Sequence, residues 1–228
     1  MKAPIHRLNK KELVWLGSHI CRHGHTYLEH YNCYLQENPS MEEKIGFLDI
    51  ETFGLDADFA VMLTWCLKER GGEIAFDTLK DRDFGEHRKA KTLFNVDKRI
   101  TKSLIEEMLK YDRLVTHYGR KFDIKFIRTR AILDGLDFPH FGTIVNDDTY
   151  YMSKNKLKIH SNRLDTVVRV CEGKSEKTHL DGNIWIPAVM GDAEAILYIL
   201  EHNKIDVIEL EKAWEKLRVY QGVRNTSI

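Results

Sequence analysis

From residue 45 onward the chain alternates short unbroken apolar runs with longer stretches in which apolar residues return every third or fourth position. The first kind reads as buried strand, predicted at 45–50, 59–67 and 73–77, with Gly71-Gly72 as the turn joining the second to the third. Residues 97–111 set Ile100, Leu104, Ile105, Met108 and Leu109 on one side of a helix. A short strand follows at 113–116. A helix is predicted at 122–133, carrying Phe122, Phe126, Ile127 and Ile132, and a further strand at 141–145 that runs into Asn146-Asp147-Asp148. Asp192 is placed to cap a helix opening at Ala193, and helical pattern continues, with a break, to about residue 219. An antiparallel meander followed by alternating helix and strand predicts an α/β fold: a mixed five-stranded sheet flanked by helices.

Residues 1–44 do not share this pattern. They are rich in His, Tyr and Asn, contain one short predicted helix at 13–20, and end in the turn signal Glu37-Asn38-Pro39-Ser40. We read them as an N-terminal appendage to a domain spanning 45–228. The appendage holds Cys21, His23, His25, His30 and Cys33 within 13 residues. Zinc takes Cys and His in tetrahedral sets of four. Cys21, His25, His30 and Cys33 form one possible set, in which His23 can replace either His. The plainer alternative is loop histidines beside two core cysteines.

Composition narrows the class. With 43% apolar residues in a chain of 228, a packed core is expected and wholesale disorder is not. The 35 basic and 35 acidic residues cancel, so any basic surface that meets nucleic acid must be local. No stretch approaches the ~20 apolar residues of a membrane span. The opening Met1-Lys2-Ala3-Pro4-Ile5-His6 has no apolar signal core. The expected location is therefore cytoplasmic, where the four cysteines would be reduced.

Chemistry enters with Asp49 and Glu51. Alternate residues of a strand point to one face, so both carboxylates leave the end of an apolar strand together. Two like charges that close repel unless a cation lies between them. Asp123 follows a short strand and a Gly turn at the start of a helix. Asp206 lies in the C-terminal helical region, with His202 one turn earlier on the same face. Asp147 or Asp148 is a further candidate. Carboxylates suit Mg²⁺ or Mn²⁺, and two such ions about 4 Å apart can clamp an in-line displacement at phosphorus. A nearby His can accept the proton of the attacking water.

These residues resemble the DEDD 3′–5′ exonucleases of the ribonuclease H-like superfamily, over about 45–218. The first motif is matched by Leu48-Asp49-Ile50-Glu51-Thr52-Phe53-Gly54-Leu55. The second is matched by His117-Tyr118-Gly119-Arg120-Lys121-Phe122-Asp123, in the form seen in proofreading domains of family B polymerases and in small bacterial and phage ribonuclease H-like proteins. The third carries Tyr four residues, or His five, before a final Asp. Here His202 stands four before Asp206, the spacing of one subtype with the residue of the other. The resemblance implies a ribonuclease H-like fold in which Asp49, Glu51 and Asp206 hold a first Mg²⁺ or Mn²⁺. Asp49 would also touch a second ion, with Asp123 helping through bound water. It implies release of nucleoside 5′-monophosphates from the 3′ end of single-stranded nucleic acid, DNA favoured and RNA possible. Arg120 and Lys121, inside the second motif, and the flanking Phe53 and Tyr118 are the expected substrate contacts. The basic stretch 154–163 is a further candidate surface. Two alternatives stay open: a ribonuclease H-type or structure-selective endonuclease, and an inactive nucleic-acid-binding module.

Overall fold

A computed structural model describes residues 10–37, 43–90, 93–176 and 180–220. The chain divides into two compact units, Met1–Lys44 and Ile45–Ile228. The predicted turn at Asn38-Pro39-Ser40 lies outside the described residues. No described helix is long and apolar enough to cross a membrane.

The first unit holds α1 (Lys10–Ser18) and α2 (Tyr31–Glu37). Helix α1 stops short of the predicted end at 20 because Ile20 leaves it to bridge Thr26. The Trp15 ring stacks on His19 at 3.9 Å. The apolar core of the unit is Leu16 and Tyr34, flanked by Leu13, Tyr27 and Tyr31.

The second unit is built on strands β1 (Ile45–Phe53), β2 (Val61–Glu69) and β3 (Ile74–Thr78). These are followed by α3 (Asp81–Ala90), α4 (Lys98–Met108), β4 (Arg113–Thr116), α5 (Asp123–Asp134) and β5 (Val145–Asp148). The remaining helices are α6 (Thr149–Lys156), α7 (Leu164–Glu172), α8 (Trp185–Val189) and α9 (Ala193–Leu217). The sheet has the order β3-β2-β1-β4-β5. Strands β1, β2 and β3 pair antiparallel, and β4 joins β1 and β5 in parallel. The predicted mixed five-stranded sheet is thus the observed one.

Alternation along β1 sorts its side chains. Leu48 and Ile50 enter a core with Ile100, Leu104, Ile124 and Ile127 of α4 and α5. Ile45 and Phe47 enter the opposite core, with Val167 and Val168 of α7 and Leu210 and Trp214 of α9. Asp49 and Glu51 continue this second face, so the sheet presents them toward α9 just where the apolar residues stop. Gly46 permits close packing on the opposite face, with Leu48 and Ile50: a Cβ there would meet Leu67 Cδ2 at 2.6 Å and Tyr111 Cδ1 at 2.9 Å.

Several boundaries differ from expectation; β1 itself runs on to Phe53 and does not stop at 50. The last strand is Val145–Asp148 and not 141–145, and Phe141 is 86% exposed. The paired residues are polar yet buried, because the fold supplies their partners. Asn146 Nδ2 donates to the Leu114 carbonyl at 3.2 Å, and Asp147 bonds Arg113 and Trp214. Strand β2 begins at Val61, leaving Phe59 88% exposed. Helix α9 runs unbroken through Glu201-His202-Asn203-Lys204, and Asn203 is fully buried within it. Helices α2, α3, α6, α7 and α8 have no counterpart in the predicted elements. The short α6 starts where the Asp148 carboxylate accepts the Tyr150 N–H at 3.1 Å.

Candidate metal centre

Carboxylate oxygens of Asp49 and Glu51 from β1 and of Asp206 from α9 all lie within 4.8 Å of one another. Asp206 is buried, and the two strand acids are half-buried at the end of the central strand. Oxygens around one octahedral Mg²⁺ stand roughly 3–4 Å apart, so a small adjustment of these side chains closes them on a single ion. The donor set is all hard oxygen, which suits Mg²⁺ or Mn²⁺ and disfavours soft metals. The residues present therefore fit the divalent ion.

Asp123 opens α5 and is buried beside this group without belonging to it. Its Oδ1 accepts the Ile50 N–H at 3.3 Å, from the residue between the two strand acids. Burial pushes its carboxyl up to about 7, and the nearby charges of Asp148 and Asp206 push the same way. A bound cation would reverse that pressure. Burial and the Asp49 charge likewise push the Cys66 thiol up; Cys66 sits opposite Asp49 on β2.

The turn before Asp123 has its own support. Tyr118 adopts a positive φ of 66°. Asp148 holds the turn there, its carboxylate accepting the backbone N–H of Tyr118 at 2.9 Å and of Arg120 at 3.1 Å. Gly119 allows the chain to pass over β4, since a Cβ would stand 2.4 Å from Thr116 Cβ. Asp147 and Asp148, considered from sequence as metal ligands, thus spend their oxygens inside the fold. Asp147 accepts from Arg113 Nη1 at 2.8 Å and from the Trp214 indole at 2.9 Å.

The remaining sequence candidates fall into place around these two features. Arg120 turns inward, its Nη2 donating to the Asn146 carbonyl at 2.9 Å. Lys121 is exposed. Tyr118 is 43% exposed and meets Tyr150 edge-on at 4.8 Å, while Lys154 lies over the Tyr150 ring. Phe53 packs against the α4/α5 core. His202 is half-buried, with its ring 4.6 Å from that of Tyr198 one turn earlier. Of the N-terminal residues, Cys21, His23, His30 and Cys33 come together in the first unit, and His25 stays outside that group.

One residue was missed from sequence. Asn203 is fully buried, and its Nδ2 donates to Asp49 Oδ2 at 2.8 Å. It aims the first acid of the site from the helix that carries the last one. The available signal was a polar residue on the buried face of α9, between Ile199 and Val207.

A sheet of this order with acids converging at the end of its central strand defines the ribonuclease H-like class. The model of the RNase H superfamily matches residues 46–218, and the chain belongs to that superfamily. Its nucleases use divalent metals, in keeping with the acid cluster. No curated protein matches the sequence. Among solved structures, the family B DNA polymerase from the hyperthermophilic archaeon Pyrobaculum calidifontis superposes with a TM-score of 0.62 at 17% identity. The match covers 78% of this chain and 25% of the polymerase chain, so this chain spans about a quarter of that length. At such identity the likeness is one of fold.

Proposed function

We propose that the chain is a metal-dependent 3′–5′ exonuclease that hydrolyses single-stranded nucleic acid, DNA in preference to RNA. The observation that carries this reading is the convergence of Asp49, Glu51 and Asp206 within 4.8 Å. Divalent ions bound there would supply Lewis-acid neutralisation of the charge that builds on phosphorus and its oxygens. Asp49, Glu51 and Asp206 would hold the divalent metal, and Asp123, buried beside them, would assist. Asn203 fixes the orientation of Asp49. His202, at the edge of the buried face of α9, accepts the proton of the attacking water. The water oxygen bonds to phosphorus as the bond to the 3′-oxygen breaks; that oxygen takes a proton from solvent to become the new 3′-hydroxyl, and a nucleoside 5′-monophosphate leaves.

The direction of cutting rests on the resemblance of the first two motifs to the DEDD exonucleases. The preference for single strands rests on Tyr118, 43% exposed, as a ring for an unpaired base, with Lys154 and the exposed Lys121 for phosphate. The test is digestion of 5′-labelled DNA and RNA oligonucleotides with Mn²⁺, with Asp49→Ala and His202→Ala alongside. A ladder shortening from the 3′ end that disappears in Asp49→Ala supports the proposal. One discrete internal cut makes the enzyme an endonuclease, and undiminished cutting by Asp49→Ala removes the site assignment.

A further inference from the structure

The N-terminal unit contains a second convergence of ligand atoms, unrelated to the acids. Cys21 Sγ, His23 Nδ1, His30 Nδ1 and Cys33 Sγ are mutually within 4.8 Å. His23 Nδ1 stands 3.0 Å from Cys33 Sγ and 4.0 Å from Cys21 Sγ. His30 Nδ1 stands 3.4 Å from Cys33 Sγ and 3.7 Å from Cys21 Sγ. Around a tetrahedral zinc, with bonds of about 2.3 Å to sulfur and about 2.0 Å to nitrogen, such donors lie roughly 3.5 Å apart. The four observed separations bracket that value.

The backbone is shaped to present these donors in pairs. Cys21 and His23 come from one tight turn, closed by the Gly24 N–H donating to the Cys21 carbonyl at 2.9 Å, with Gly24 at φ 80°. His30 and Cys33 come from the entry to α2, where the Cys33 N–H donates to the His30 carbonyl at 2.9 Å. The turn is joined to the strand-like return by the Cys21 N–H, which donates to the His25 carbonyl at 2.8 Å. His25 therefore contributes its backbone, and its ring meets that of His30 edge-on from outside the group.

Energetics point the same way. Leu16 and Tyr34 are the buried centre of the unit's apolar cluster. Segments of about 40 residues or fewer seldom bury enough apolar surface to fold without a metal or disulfides. Both cysteines are buried and free, so no disulfide supplies that support. We infer that Cys21, His23, His30 and Cys33 bind one structural zinc ion, in a closed tetrahedral site that holds the N-terminal unit in its fold. The soft sulfur donors select zinc over the Mg²⁺ or Mn²⁺ that the acid cluster takes.

The test uses the full chain, produced in zinc-supplemented medium and purified without chelator. Elemental analysis should find about one zinc per chain, and absorption at the zinc edge a shell of two sulfur and two nitrogen atoms at about 2.3 and 2.0 Å. Cys33→Ser and His23→Ala should each lose the zinc. His25→Ala should keep it, and so should an Asp49→Asn, Asp206→Asn double variant, which separates this site from the acids. Wild-type protein free of zinc, or zinc with an oxygen-only shell, overturns the proposal without recourse to any variant. Equal loss in His25→Ala and His23→Ala overturns the assignment of ligands.

Discussion

Replacing Asn203 by Ala removes the amide that donates to Asp49 Oδ2 at 2.8 Å. A hydrogen bond to a charged acceptor contributes about 1.5–3 kcal/mol, and each 1.36 kcal/mol is about tenfold, so the aim of Asp49 is worth roughly 10- to 150-fold. Losses of about 10- to 100-fold in metal affinity are typical when a residue that orients a ligand is removed. The stability cost should be smaller than for an ordinary buried Asn, because Asn203 Oδ1 makes no hydrogen bond and leaves with the side chain. Mn²⁺ titration by calorimetry and Mn²⁺-dependent digestion should therefore both shift by at least about tenfold. The near-isosteric Asn203→Asp should do worse at neutral pH, since it sets a second carboxylate against Asp49. In an Asp49→Ala background the Asn203→Ala effect on Mn²⁺ binding should vanish. Asn203→Ala protein that binds Mn²⁺ within about twofold of wild type, or an equal loss in the Asp49→Ala background, would refute the reasoning.

Three further outcomes follow from other parts of the domain. Because burial raises the Asp123 carboxyl to about 7, the folded protein keeps a proton that the unfolded chain loses near pH 3.8. Metal-free stability should thus fall as pH rises across that window, by at most about 4 kcal/mol, and Asp123→Asn should flatten the trend in urea unfolding at pH 5 and 8. Arg130, 2% exposed, pairs with the fully buried Asp97 and donates to the Ala57 carbonyl in the loop after β1. Arg130→Ala strands a buried charge and should cost about 3–5 kcal/mol by urea unfolding, and a loss below about 1 kcal/mol contradicts the network. Gly119→Ala forces a Cβ to within 2.4 Å of Thr116 Cβ, so the turn must move and carry Asp123 with it. A stability loss of about 1–3 kcal/mol with a larger fall in activity is expected, measured by thermal melting and oligonucleotide digestion side by side.

What sequence disclosed of this fold is what hydrophobicity encodes. The apolar run into Asp49 marks a central strand because both faces of β1 are covered by helices. The helix at 97–111 was legible because its buried residues sit at regular helical spacing, as Ile100, Leu104, Ile105 and Met108 do. Strand β5 was displaced because Asn146, Asp147 and Asp148 are buried by virtue of partners on β4, α9 and the 117–120 turn. Those partners are far off in sequence, and no local pattern announces them. Asn203 was overlooked for the same reason, since its function depends on an acid 154 residues earlier. In the N-terminal unit the ligand types were readable, but the choice of His23 over His25 depends on a turn whose geometry spacing does not encode.

That separation of 154 residues between Asp49 and its orienting Asn203 gives the site a place in time as well as in space. A polypeptide emerging from the ribosome at about 5–20 residues per second has both strand acids exposed long before α9 is made. Without α9 the proposed metal site would lack Asp206 as a third ligand and the Asn203 amide that aims Asp49. A partly made or proteolytically shortened chain lacking α9 should then be chemically silent. On the proposed assignment, competence to bind a divalent ion would arrive with one late event, the closing of α9 onto the sheet.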